Sequence, residues 1–238
     1  MVTFLLFQDF NIKDLVMIFY MIKDNGKETN MLEVISEELR QYHYKKLAEY
    51  EQKNARASKG GIVFTGDSLI EFYPLTKYFG TKLPLHNRGI AGTDSQWLYD
   101  HCDTQVNALE PDQVFILIGC NDIGLGFELS HIVKTIVDLI NRIRSHSIYT
   151  TIHLLSLLPV SKNPQYQQTV KLRTNEVIDA INQELAMIPA VDFIDLNSML
   201  KDENGGLADH YTLDGLHLNG LAYEIISKRL RQSFSTLG

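Results

Sequence analysis

The sequence predicts an α/β fold, a three-layer sandwich in which a five-stranded parallel sheet carries helices on both faces. Three observations lead there. Short apolar runs bounded by turn residues, such as GIVFTG at 61–66 and DQVFILIG at 112–119, alternate with longer segments whose apolar residues recur at the helical period. Those short runs are nearly continuous in apolar residues, as burial on both faces of a parallel sheet requires. The length of 238 residues fits one such domain, and neither repeats nor long linkers interrupt it.

Taken in order, the first segment, MVTFLLFQDFNIKDLVMIFYMIKD, is apolar without reading as a signal peptide or an anchor. No basic stretch precedes it, no small-residue cleavage site follows, and Gln8, Asp9, Asn11, Lys13 and Asp14 interrupt it. Residues 1–30 are therefore expected to form an upstream extension outside the core, and residues 31–238 the folded domain; Met1, Met17, Met21 and Met31 all remain open as translation starts. Asn30 and Glu33 stand at capping-box spacing ahead of a helix with Leu32, Ile35, Leu39 and Tyr42 on one face. Its polar tail, EQKNARASKG, gives way to the first strand, which ends at Gly66. LPLHNRG predicts the second strand, followed by a helical stretch through Trp97 and Val106, and then the third strand at DQVFILIG. Ile132, Val133, Ile136, Val137, Ile140 and Ile143 mark an amphipathic helix, YTTIHLLSL the fourth strand, and Val177, Ile181, Leu185 and Ile188 another helix. VDFIDL is the fifth strand, and Asn219 opens a closing helix with Ala222, Ile226, Leu230 and Phe234.

Strictly alternating strands and helices give the flavodoxin-like order 2-1-3-4-5, with the strand order reversing between the first and third strands. Ligands of open parallel sheets gather at that reversal, beyond the carboxyl ends of the strands. The segments leaving the first three strands there are Gly66-Asp67-Ser68, Asn87-Arg88-Gly89 and Gly119-Cys120-Asn121-Asp122.

A serine hydroxyl needs a base within hydrogen-bond reach and a third group to orient that base. Ser68, at a strand-to-helix turn, presents an unpaired backbone N–H at a helix start, so it serves both as candidate nucleophile and as a first oxyanion donor. Gly89 is the second expected donor, through its backbone N–H, and the Asn121 amide the third. In TLDGLHLNG, Asp214 and His217 are spaced so that the carboxylate can hold the imidazole while its other nitrogen faces Ser68. Each of these tripeptides alone reads as an ordinary cap or turn. Together, in one order and at one end of the sheet, they read as a site.

These segments resemble the SGNH/GDSL hydrolases: FTGDSLIEFYP the first block of that family, NRGIAG the second, IGCND the third and DGLHLNGLAY the last. Within it the chain is most similar to the platelet-activating-factor acetylhydrolase-like bacterial esterases. The resemblance covers about Gly61 to Leu230 and implies a Ser68–His217–Asp214 triad, with Ser68, Gly89 and Asn121 as the oxyanion hole. It also implies hydrolysis of carboxylic esters with no metal or organic cofactor. The physiological ester stays open among acetylated sugars, lysophospholipids, thioesters and platelet-activating-factor-like lipids. The short loops GLGFELS and PVSKNPQYQQ favour short acyl groups, and the kinship admits a homodimer.

Composition narrows the alternatives. With 22 basic against 29 acidic side chains, net −7, nucleic acid is not an expected partner, nor is stable membrane insertion. Cys102 and Cys120 lack ligand spacing and read as buried thiols in a cytoplasmic setting. Asp67 and Asp122 read as turn-formers, Trp97 as core, and His86, His101, His131, His146, His153 and His210 as packed or solvated. A non-catalytic module binding a ligand in the same cleft is the alternative function. A phosphate-binding protein would want a Gly-rich loop that GDSLIE does not supply.

Overall fold

The computed structural model describes residues 32–237, so the expectations for residues 1–30 and for Asn30 as a cap lie outside the described residues. Helix α1 (Glu37–Asn54) starts later than the capping-box spacing predicts, with Ser36 as its cap: the Ser36 hydroxyl accepts from Leu39 N at 3.2 Å. Glu33 is not a helix-start residue, because its carboxylate is taken by the Arg173 guanidinium. His43, Leu47, Tyr50 and Asn54 form the buried stripe of α1.

Beyond it the elements follow the predicted alternation. Strand β1 (Ile62–Gly66) leads through the single-turn α2 (Ser68–Glu71) and the short α3 (Leu75–Phe79) to β2 (Leu85–Gly89). The helical stretch predicted through Trp97 and Val106 is broken into α4 (Ser95–Asp100) and α5 (Cys102–Gln105), which share the non-helical His101 as cap. Then come β3 (Gln113–Leu117), α6 (Cys120–Gly124), α7 (Leu129–His146), β4 (Thr151–Leu155), α8 (Gln167–Val170), α9 (Asn175–Ala186), β5 (Asp192–Ile194) and α10 (Gly220–Ser233). All strand pairs are parallel and the order is β2-β1-β3-β4-β5, as the sequence predicts.

Burial on both faces explains the continuous apolar strands. Val63, Val114, Ile116, Ile152 and Leu154 point into one core with Ile132, Ile136, Leu139, Ile140 and Ile143 of α7 and Ile178, Ile181 and Leu185 of α9. Ile62, Phe64, Phe115, Leu117 and Leu155 point into the other, against Ala222, Ile226 and Leu230 of α10. Phe64 and Phe115, paired across β1 and β3, stack with centroids 4.6 Å apart. Each such side chain contributes roughly 1.5–3 kcal/mol on burial, so the two cores hold the strand ends, and the loops leaving them, in fixed register. Among the described residues, no helix is long and apolar enough to cross a membrane.

Candidate active site

Ser68 is placed by the two residues before it. Gly66 closes β1 at φ +152°, directly opposite Leu117 on β3, and a Cβ there would lie 1.9 Å from the Leu117 carbonyl oxygen. Only glycine fits. Asp67 then caps α2, its Oδ1 accepting from Leu69 N at 2.9 Å, and Ser68 becomes the first residue of the turn, 6% exposed. At that position its N–H has no intrahelical acceptor. Because α2 is a single turn, what it offers an incoming oxygen is this local N–H rather than a long helix's dipole.

His217 and Asp214 sit on the loop between β5 and α10. The Thr212 hydroxyl accepts from Asp214 N at 3.3 Å and Gly215 N at 2.9 Å, and donates to the His217 carbonyl at 2.7 Å. Asp214 Oδ1 accepts from the backbone N–H groups of Leu216 at 3.0 Å and His217 at 2.7 Å, leaving Oδ2 for His217 Nδ1 at 2.8 Å. Gly215 permits the turn, since it has φ +87° and a Cβ would meet Tyr166 at 2.4 Å. With the carboxylate on Nδ1, that nitrogen is the donor and Nε2 keeps its lone pair, 3.1 Å from Ser68 Oγ. Burial pushes the Asp214 carboxyl up, but the His217 contact and the two backbone N–H bonds outweigh it and hold the group below the ordinary carboxylate range. Residues 149 positions apart in the chain thus meet at one mouth.

The third expected group, Asn121, opens α6 beside them. Its Nδ2 donates to the Thr93 carbonyl at 2.9 Å and its Oδ1 accepts from Arg173 Nη2 at 3.0 Å, so one amide hydrogen is left over. Gly89 corrects the sequence reading. Its N–H is already committed to Asn87 Oδ1 at 3.0 Å, and so is not available as an oxyanion donor. Its smallness serves packing instead, for a Cβ there would lie 2.3 Å from Glu71 N and 2.8 Å from the Asp67 carbonyl oxygen. The next two amides are also taken, Ile90 N by the Gly66 carbonyl at 2.9 Å and Ala91 N by Glu71 Oε2 at 2.6 Å. The first amide of this loop without an acceptor among the described residues is Gly92, at φ +80° and adjoining the Thr93 carbonyl that binds Asn121. NRGIAG contains both glycines, and only the turn geometry separates their roles.

The flanking acids are more deeply buried than turn-formers need to be. Burial pushes the Asp67 carboxyl up to about 7, against the opposing pull of Leu69 N–H and His217, and its Oδ2 has no hydrogen-bond partner among the described residues. Asp122, pushed up by burial to about 6, accepts from Ser95 N at 3.0 Å and from the Ser95 hydroxyl, tying α6 to α4. A folded-state pKa above the unfolded value, near 3.9, means that the folded chain binds the extra proton. Asp67 accordingly adds stability that is fully present below about pH 4 and is lost as the pH rises through about 7. Asp67→Asn keeps the cap oxygen and removes the titration. Its stability advantage over the wild type should widen by an amount on the order of a few kcal/mol between pH 5 and pH 8, read from urea midpoints. A difference that stays constant over that range would contradict this.

Cys120 is buried and its thiol is pushed up to about 12, so it is inert as a nucleophile. Trp97 is half-buried and stacks on His101 with centroids 3.9 Å apart, a packing role as expected. Among the described residues, no group of three or more His, Cys, Asp or Glu side chains could hold a metal ion.

A family model described as the GDSL-like Lipase/Acylhydrolase family matches residues 64–225. A solved structure from Streptococcus pneumonia, named for platelet activating factor, superposes with a TM-score of 0.78 at 30% identity, covering 94% of this chain and 99% of that one. The platelet-activating factor acetylhydrolase IB subunit alpha2 of Gallus gallus is 25% identical over 176 residues, 72% of this chain and 74% of that protein. The N-acylneuraminate cytidylyltransferase of Escherichia coli O18:K1:H7 is 27% identical over 185 residues, 76% of this chain, which spans only 42% of that protein's length. With the family pattern running from β1 into α10 and so enclosing Ser68, Asn121, Asp214 and His217, the chain belongs to the GDSL-like lipase/acylhydrolase family.

Proposed function

We propose that the chain hydrolyses short-acyl carboxylic esters through an acyl-enzyme formed on Ser68. The observation that carries this reading is the buried hydrogen-bonded chain from Ser68 Oγ through His217 to Asp214, at 3.1 and 2.8 Å. In the first half of the reaction His217 Nε2 takes the Ser68 hydroxyl proton as Oγ attacks the ester carbonyl carbon. The oxyanion accepts from the N–H of Ser68, the N–H of Gly92 and the spare Asn121 amide hydrogen. Collapse breaks the bond to the alcohol oxygen, which leaves with the proton from His217. Water then gives a proton to His217, adds to the acyl carbon and displaces Ser68 Oγ, which recovers its hydrogen. Asp214 stabilises the imidazolium in both halves.

The walls around this centre favour small acyl groups. Phe72, 8% exposed, tilts against His217 with ring centroids 5.7 Å apart, and Tyr166 packs against Gly215 of the loop that carries the histidine. The name of the Gallus gallus relative, an acetylhydrolase, points the same way. A panel of p-nitrophenyl esters of increasing chain length, run with acetylated carbohydrates, tests the reading. Acetate should be turned over best, with kcat/KM falling at least about tenfold by octanoate, as expected when each surplus methylene meets a closed wall. A profile that climbs with chain length would overturn the short-acyl assignment, and no hydrolysis of any ester would overturn the esterase reading itself.

A further inference from the structure

Asn121 can donate to an oxyanion only if its amide is turned nitrogen-first. The Thr93 carbonyl, which accepts from Nδ2 at 2.9 Å, favours that orientation, and a neighbour on the other side of the amide enforces it. That neighbour is Arg173, one residue before the Thr174 cap of α9, whose side chain is 0% exposed. We infer that Arg173, locked in place by Glu33, is the positioning residue that fixes the Asn121 amide for oxyanion binding; the inference rests on the esterase reading above.

The geometry leaves the guanidinium little freedom. Nε donates to the Cys120 carbonyl at 2.9 Å, and Nη1 donates to Glu33 Oε1 at 3.0 Å and to the Val170 carbonyl at 3.5 Å. Nη2 donates to Glu33 Oε2 at 2.7 Å and to Asn121 Oδ1 at 3.0 Å. An arginine has five N–H donors, and each of these has an acceptor. Because a guanidinium only donates, it can face only Oδ1 of the amide, which commits Nδ2 to the Thr93 carbonyl and the open side of the cleft. A flipped amide would bring its NH2 against the cation and its oxygen toward the developing negative charge. A positive charge on Oδ1 also polarises the amide and strengthens its remaining N–H as a donor.

Two further features show the site built around this contact. The guanidinium lies over Gly124, three residues after Asn121 on α6, where a Cβ would come within 2.5 Å of Nη2 and so would displace the arginine from this position. Glu33 completes the network from outside the family-matched residues 64–225, and its own N–H donates to the Gly124 carbonyl at 2.8 Å. A segment ahead of α1 therefore supplies the counter-charge for a group inside the site.

The test is a double-mutant cycle on p-nitrophenyl acetate with the full chain, after circular dichroism has checked each variant's fold. Arg173→Lys keeps the charge but loses the planar fork. It should lower kcat about tenfold or more with KM within about twofold, and Glu33→Gln should act in the same direction with a smaller loss. In an Asn121→Ala background, itself about a hundredfold down, neither change should lower kcat by more than about twofold further. If Arg173→Lys does not fold, the Glu33→Gln cycle decides alone. The proposal is overturned if either variant costs the same factor with and without Asn121, which is what a purely structural role predicts, or if folded variants keep wild-type kcat. Wild-type turnover in Asn121→Ala beside an inactive Ser68→Ala would overturn it while the esterase reading stands. Retained turnover in Ser68→Ala would overturn both.

Discussion

Ser68→Ala is expected to lower kcat for p-nitrophenyl acetate by at least about ten-thousandfold, and His217→Ala to do nearly as much. Neither loss is expected to come from unfolding, because the Asp67 cap of the Ser68 turn is untouched and His217→Ala keeps the backbone bonds to Thr212 and Asp214. The two losses do not add. Among the described residues, Ser68 Oγ has one partner that can take its proton, His217 Nε2 at 3.1 Å, so removing either group is expected to end the same step. The double variant should therefore be no slower than the single ones by more than about threefold. The residue of activity that survives reflects the N–H donors and binding alone. A double variant slower by the product of both factors would mean that serine and histidine act in separate steps. Steady-state kinetics on purified protein reads all three.

Gly89→Ala is expected to lose about 3 kcal/mol or more of stability, or roughly 10 °C in the unfolding midpoint. The added methyl meets backbone rather than the end of a side chain: Glu71 N at 2.3 Å, with the Asp67 carbonyl oxygen and the Ile70 carbonyl carbon both at 2.8 Å. Relief would require β2 and α2 to separate. That would pull Ser68 from its position, break the bond from Tyr50 OH to the Gly89 carbonyl at 2.6 Å and loosen the contact of α1. Gly80→Ala supplies the contrast. It has φ +76° with nothing within 4 Å of the added atom, so only backbone strain of about 1 kcal/mol applies. Thermal unfolding of the two variants side by side measures the difference. Near-equal midpoints would show that the closeness of β2 and α2 is not what the glycine at 89 provides.

How much of this was readable beforehand follows from how local each signal is. The strands were legible because burial on both faces writes itself into five-residue stretches such as IVFTG and QVFIL, and from strand–helix alternation the order follows. Ser68, Asn121, Asp214 and His217 were legible because each sits in a short motif at a strand end or turn. Gly89 was misjudged for the opposite reason. Which of two nearby glycines keeps a free N–H depends on a side chain, Asn87, folding back on its own backbone. Arg173 and Glu33 could not be found at all, since their contact spans 140 positions and neither carries a local signature. The same contact explains the misplaced start of α1: Glu33, read as half of a capping box, had a stronger partner elsewhere.

The proposed reaction requires that the imidazole at His217 activate the buried hydroxyl at Ser68. Its most direct test is to label the purified chain with a fluorophosphonate and map the modified peptide by mass spectrometry. One phosphonylated residue, Ser68, is expected in the wild type, with a labelling rate reduced by orders of magnitude in His217→Ala. Modification of a different residue, undiminished labelling of Ser68 in His217→Ala, or no labelling in a chain that still binds acylated ligands would contradict it.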